Sequence, residues 1–180
     1  MSHRLVILRH AKSLWPDGMP DHDRPLAPRG VVDAKAAGEW LRDHVGTPDH
    51  VIVSTARRAR GTWTLAADAV GYIGAAGYDH ESQGALTIDP RIYEARASTL
   101  LEVLREIPER VALAFLVGHM PGCADLVDLL ARDRDPAAAA LFAVKYPTSG
   151  IAVLDVDPGL TWSRLDQKSA RLSDFAVPRG

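Results

Sequence analysis

At 180 residues the chain is long enough to bury roughly two-thirds of its unfolded surface but short for two independent cores, so a single domain over 1–180 is expected. Its 21 basic and 23 acidic residues leave a net charge of -2, which argues against a nucleic-acid coat or a membrane-surface binder. One cysteine, Cys123, excludes an internal disulfide, and no stretch approaches the roughly 20 apolar residues that cross a bilayer, so a cytoplasmic protein is expected.

Leu5 to Leu8 is a short, continuous apolar run of the kind found in a strand buried on both faces. It is too short for a signal-peptide core and stops at Arg9 and His10. A loop rich in Pro, Asp and Gly runs from about Trp15 to Pro28. Gly30 to His44 then has helical spacing through Val31, Ala34, Trp40 and Leu41, until Gly46 and Pro48 break it. Val51 to Val53 is a second buried strand ending at Ser54-Thr55, and Ala56 to Val70 reads as a helix that opens on Arg57-Arg58. Gly71 to Gly84 is a Gly- and Ala-rich insertion, Leu86 to Ile88 a third strand, and Ser98 to Ile107 a helix closed by Pro108. Val111 to Val117 is the strongest strand signal; Gly118-His119-Met120-Pro121-Gly122 follows it, then a helix over Ala124 to Ala131. Ala137 to Ala140 fits helix or loop, Ile151 to Val156 is a further strand, and the chain after about Arg164 carries no pattern that places it.

Strands alternating with helices predict an α/β fold, a three-layer α/β/α sandwich around a mostly parallel sheet. Ligands of such sheets bind beyond the carboxyl ends of the strands, where loops meet helix N-termini. Of seven histidines, His10 and His119 each directly follow a predicted central strand, whereas His3, His22, His44, His50 and His80 fall in loops or at element ends. Arg9 stands beside the first and Arg58 opens the helix after the second strand, so four groups can converge on one anion. A phosphoryl group suits them: arginine forks hold the negative charge spread over its oxygens, and a neutral imidazole attacks phosphorus in line. On that reading His10 forms a phosphohistidine that water then hydrolyses.

Leu8-Arg9-His10-Ala11-Lys12-Ser13 resembles the Arg-His-Gly signature of the histidine phosphatase superfamily in its SixA-like form. Asp23-Arg24-Pro25-Leu26-Ala27-Pro28-Arg29-Gly30, Ser54 to Thr62, Leu116 to Gly122 and Lys145 to Gly150 resemble later segments of the same group, in the same order. The resemblance implies a phosphoglycerate mutase-like fold, with His10 as nucleophile, Arg9 and Arg58 as phosphate ligands, and His119 as a further ligand to the transferring group. Arg57 is the alternative to Arg58. It implies no metal and no organic cofactor. Glu94, in Ile92-Tyr93-Glu94-Ala95, falls where many members keep a catalytic acid, a group that SixA-like members acting on phosphohistidine can do without because imidazole leaves phosphorus more readily than an alkoxide. Ser13 and Arg24 are candidate secondary phosphate contacts, with loop stabilisation as their alternative role.

Ala11 replaces the signature glycine, and the chain is too short for the large cap of sugar-phosphate and acid-phosphatase members. An uncapped site suits a phosphorylated protein side chain or an extended small-molecule phosphate. Asp21-His22-Asp23 has metal-ligand residue types, but adjacent side chains rarely converge on one ion. Six residues after Cys123 stands Leu129, where a cysteine phosphatase needs arginine, and no GxxxxGK[ST] loop occurs. Two rival functions stay open, a phosphoglycerate-type mutase and a non-catalytic phosphate- or phosphoprotein-binding module. The physiological substrate and the oligomeric state are not written in these patterns.

Overall fold

The computed structural model describes residues 2–72 and 85–180. The expected insertion Gly71 to Gly84, with His80 in it, lies outside the described residues from position 73 onward. In chain order the elements are β1 (Arg4–Arg9), α1 (Pro28–His44), β2 (His50–Ser54), α2 (Arg57–Val70), β3 (Ala85–Asp89), α3 (Ala97–Arg105), β4 (Leu113–Gly118), α4 (Gly122–Leu130), β5 (Ala131–Arg134), α5 (Pro136–Val144), β6 (Ile151–Val156) and β7 (Ala170–Ala176).

The strands form one seven-stranded sheet in the order β3-β2-β4-β1-β6-β7-β5. The pairs β1–β4, β2–β4, β2–β3 and β5–β7 are parallel, while β6 runs antiparallel to both β1 and β7. The continuous apolar runs behave as strands covered on both faces, because successive side chains point to opposite sides. Leu5 and Ile7 face one layer with Ile52, Leu116 and Leu154, packed under Leu100 and Leu104 of α3 and Leu126 and Leu130 of α4. Val6 and Leu8 face the other with Val51, Val53 and Phe115, under Leu41 of α1 and Trp63 of α2. The result is the expected α/β/α sandwich around a mostly parallel sheet.

Two glycines shape the helices, one by close approach and one by its backbone conformation. A Cβ on Gly38 of α1 would lie 2.4 Å from the Ala66 carbonyl oxygen of α2, so the helix backbones nearly touch there. Gly71 closes α2 in the left-handed conformation with φ 76°, the usual C-terminal role of glycine. The alanine run that fitted helix or loop is helical: Asp135 Oδ1 accepts from the amides of Ala137 and Ala138 and caps α5.

Two strands escape the sequence pattern. β5, Ala-Arg-Asp-Arg, is a charged edge strand whose first residue, Ala131, was expected to end the preceding helix and whose Arg132 to Arg134 carried no assignment. β7 lies in the unassigned tail, paired with β6 and β5. Its register shifts between Val153 and Leu154 of β6, and its buried residues Leu172 and Phe175 are three apart instead of two. That irregularity erases the alternation that marks a strand.

Candidate active site

The site is built where the two central parallel strands end. Arg9, the last residue of β1, is in register with Gly118, the last of β4, and the His10 amide donates to the Gly118 carbonyl at 3.0 Å. The next residue on each strand is therefore a histidine at the same level. The rings of His10 and His119 lie 5.1 Å apart, centroid to centroid, and both are buried. β2 flanks β4 on its other side, so its end brings Ser54 to His119, and the first turn of α2 brings Arg58 between the two imidazoles.

Hydrogen bonds fix how each ring is presented. His10 Nδ1 lies 2.8 Å from the Ala11 carbonyl oxygen, which can only accept, so Nδ1 carries the proton and Nε2 keeps its lone pair. Arg58 Nε donates to that Nε2 at 3.4 Å. Arg58 Nη2 donates to His119 Nδ1 at 3.4 Å, which leaves His119 Nε2 as the donor to Ser54 Oγ at 2.8 Å. Burial, opposed by the Ala11 bond and reinforced by Arg58, Arg9 and Arg24, lowers the His10 pKa to about 4. Burial and the charges of protonated His10 and Arg58 take His119 to about 3. Both imidazoles are neutral near pH 7.

Arg9 is tied to the segment that follows α5. Its Nη1 donates to the Tyr146 carbonyl at 2.8 Å, while its Nε is buried without a partner among the described residues. A buried donor of this kind is a place for a ligand oxygen. Ser149 Oγ is likewise buried and unpartnered among the described residues, at a φ of 60°, and the Ser149 amide donates to the carbonyls of Arg9 and His10. Cys123 lies buried nearby, and burial pushes its thiol up to about 12, so it is no thiolate nucleophile.

Between Arg57 and Arg58 the structure separates the positions: Arg58 is buried against the histidines, whereas Arg57 and Arg60 are exposed. Ser13 and Arg24 are buried and hydrogen-bond to each other, and among the described residues neither hydrogen-bonds to His10 or His119. Arg24 donates to Ser13 Oγ at 2.7 Å, to the Leu14 carbonyl at 2.7 Å and to Asp21 Oδ1 at 2.6 Å, and its guanidinium lies 3.3 Å from the centroid of the Trp15 ring. Glu94 is exposed, at a φ of 51°, and hydrogen-bonds to no described residue. It is its neighbour Tyr93 that enters the site, ring edge against His119 at 5.5 Å and hydroxyl donating to Asp21 Oδ2 at 2.8 Å.

Asp21 is the residue that sequence reasoning passed over. It appeared only within the Asp21-His22-Asp23 triplet, which was set aside as a metal site, and among the described residues no group of three or more His, Cys, Asp or Glu is arranged to hold an ion. Desolvation works against its ionisation, but hydrogen bonds from Tyr93, Arg24 and Arg58 outweigh it and bring its carboxyl down to about 2. A cleft of about 590 Å³ elsewhere, lined in part by Arg4, Arg132, Asp155 and Asp157, is crossed by the ion pairs Arg4–Asp155 and Arg132–Asp157 and is lined by none of Arg9, His10, Asp21, Arg58 and His119.

Set beside known proteins, residues 5–81 match the model of the histidine phosphatase superfamily, branch 1. An uncharacterized protein of Mycobacterium tuberculosis is 40% identical over 174 residues, spanning 96% of this chain and 100% of that one. The SixA protein of Nakamurella multipartitia, provisionally named a phosphohistidine phosphatase, superposes with a TM-score of 0.78 at 28% identity, covering 99% of this chain and 97% of that one. The SixA protein of Agrobacterium tumefaciens, under the same provisional name, gives a TM-score of 0.75 at 29% identity over 99% of each chain.

Proposed function

The chain belongs to the histidine phosphatase superfamily, in its SixA-like group, and from that premise we propose that it is a phosphatase that carries the phosphoryl group on His10 and acts on phosphohistidine in proteins. One observation carries this reading: the Ala11 carbonyl holds the proton on His10 Nδ1, so that Nε2, with its lone pair, is the atom turned to Arg58 and toward His119.

In the first step His10 Nε2 attacks phosphorus, the bond to the leaving group breaks, and the leaving group takes a proton. The proton stays on Nδ1, where its hydrogen bond to the Ala11 carbonyl stabilises the phosphorylated ring. Arg58, through Nε and Nη2, and Arg9, through its unpartnered Nε, hold the oxygens as their charge develops, with His119 as a second imidazole against the transferring group. In the second step water attacks phosphorus and the His10 lone pair returns. Imidazole leaves phosphorus more readily than an alkoxide, so a phosphohistidine substrate makes little demand on an acid. For a phosphomonoester, Glu94 beside Tyr93 is the carboxyl group proposed to supply the proton. The provisional name of the SixA relatives supports the choice of phosphohistidine.

The test is turnover by wild type and His10→Ala on a phosphohistidine peptide, para-nitrophenyl phosphate and 3-phosphoglycerate. The expected result is release of phosphate with the highest kcat/KM on the peptide, and loss of turnover on all three in His10→Ala. Interconversion of phosphoglycerates faster than phosphate release would replace this reading with a mutase. Tight phosphopeptide binding without turnover by the intact protein would replace it with a binding module.

A further inference from the structure

Arg58 uses two different sides of its guanidinium. The side formed by Nε and Nη2 meets His10 and His119, both at 3.4 Å. The end formed by Nη1 and Nη2 meets Asp21, whose carbonyl oxygen accepts from Nη1 at 2.6 Å and whose Oδ2 accepts from Nη2 at 2.8 Å. The short, charge-assisted bonds are thus at the end, and the long contacts are on the side that faces the imidazoles. A guanidinium is a rigid planar fork, so fixing one pair of donors aims the other.

Asp21 is itself held. Arg24 Nη1 donates to its Oδ1 at 2.6 Å and the Tyr93 hydroxyl to its Oδ2 at 2.8 Å. Arg24 is anchored in turn to Ser13, to the Leu14 carbonyl and over the Trp15 ring. The loop between β1 and α1 is closed by an antiparallel bridge between Ser13 and Leu26. The chain of contacts runs from this closed loop through Arg24 and Asp21 to Arg58.

We propose that Asp21 is a positioning residue, held by Arg24 and Tyr93, that grips the end of the Arg58 guanidinium and so aims its Nε–Nη2 side at the phosphoryl group between His10 and His119. This rests on the phosphatase reading of the site. Ser13 and Arg24 then act through Asp21 and not as phosphate ligands. The geometry also separates this role from its opposite, in which Asp21 is a resident anion competing with phosphate. A competitor occupies the Nε–Nη2 side itself, whereas Asp21 takes Nη1 and one N–H of Nη2 from the end and leaves Nε to His10 and the other Nη2 N–H to His119.

The two roles predict opposite signs. The dissociation constant for inorganic phosphate is measured by calorimetry, and kcat and KM with para-nitrophenyl phosphate, for wild type, Asp21→Asn, Asp21→Ala, Arg58→Ala and the Asp21→Ala/Arg58→Ala pair. Positioning predicts that Asp21→Ala weakens phosphate binding and lowers kcat/KM by about 10- to 100-fold, with Asp21→Asn, which keeps an acceptor, in between. In the Arg58→Ala background Asp21→Ala should change phosphate affinity by less than about twofold. Tighter phosphate binding in Asp21→Ala would overturn the proposal, and so would a loss that persists undiminished without Arg58. If Asp21→Ala does not fold, Asp21→Asn measured with and without Arg58 decides by the same signs. Phosphate affinity is read without turnover, so a protein that binds phosphate but hydrolyses nothing sinks the phosphatase reading while still reporting the Asp21–Arg58 coupling. A wild type that binds no phosphate overturns both.

Discussion

His10 Nδ1 points back at the carbonyl oxygen of Ala11, 2.8 Å away along its own chain. A side chain tied to the residue that follows it has little freedom to turn, and the bond decides which nitrogen is nucleophilic. Ala11 is fully buried, and its amide donates to Thr62 Oγ1 at 2.9 Å, while Thr62 Oγ1 donates to the Arg58 carbonyl at 2.7 Å. The loop that orients His10 and the helix that delivers Arg58 are therefore joined through one threonine.

The first consequence concerns pH. The folded-state values of His10 and His119, about 4 and about 3, lie below the ordinary 6.5. Unfolded chains therefore take up more protons than folded ones once the pH drops below about 6.5, and stability falls with falling pH down to the folded values. In NMR titration of the unliganded protein, the Cε1 resonances of both residues should stay unshifted between pH 5 and 8. His10→Ala should lessen the loss of thermal stability between pH 7 and 5. A His10 midpoint near 6.5 would contradict the desolvated, arginine-flanked ring.

Arg58 should tolerate no basic substitute. Lysine presents a point charge and cannot grip Asp21 and face the histidines at once. Arg58→Lys and Arg58→Ala are both expected to lower kcat/KM by about 10²- to 10³-fold, whereas Arg57→Ala and Arg60→Ala, on the exposed face of α2, should change it by less than about twofold. Steady-state kinetics of the four variants checks this. A large loss in Arg57→Ala would move the phosphate ligand by one residue.

Gly38 offers a test of the scaffold in which propensity and packing disagree in sign. Alanine is favoured over glycine in a helix by about 1 kcal/mol, but a Cβ here would sit 2.4 Å from the Ala66 carbonyl oxygen. Gly38→Ala should therefore lower the thermal midpoint by pushing α1 away from α2. A raised midpoint would mean that the two helices part easily.

What the sequence revealed follows from how local each signal is. β1 and β4 are unbroken apolar runs that end on Arg9-His10 and Gly118-His119, so strand, sheet edge and candidate chemistry are written in adjacent residues. Arg58 was legible because a helix start behind a buried strand aims its first turn at that same edge. Asp21 was not, because its partners Arg58 and Tyr93 are 37 and 72 positions away and nothing in Asp-His-Asp announces them. Position along the chain drew attention to Glu94, yet its neighbour Tyr93 is the one that reaches Asp21 and His119. β7 stayed hidden behind its bulge and β5 behind its charges, since both break the alternation that sequence reading depends on.

The most direct test of the account is to trap the phosphoenzyme during turnover, map the modified residue by mass spectrometry, and assign the phosphohistidine isomer by NMR. The prediction is an acid-labile phosphoryl group on Nε2 of His10, absent from His10→Ala. Phosphorylation of Nδ1 or of His119, or full turnover in His10→Ala, would contradict it.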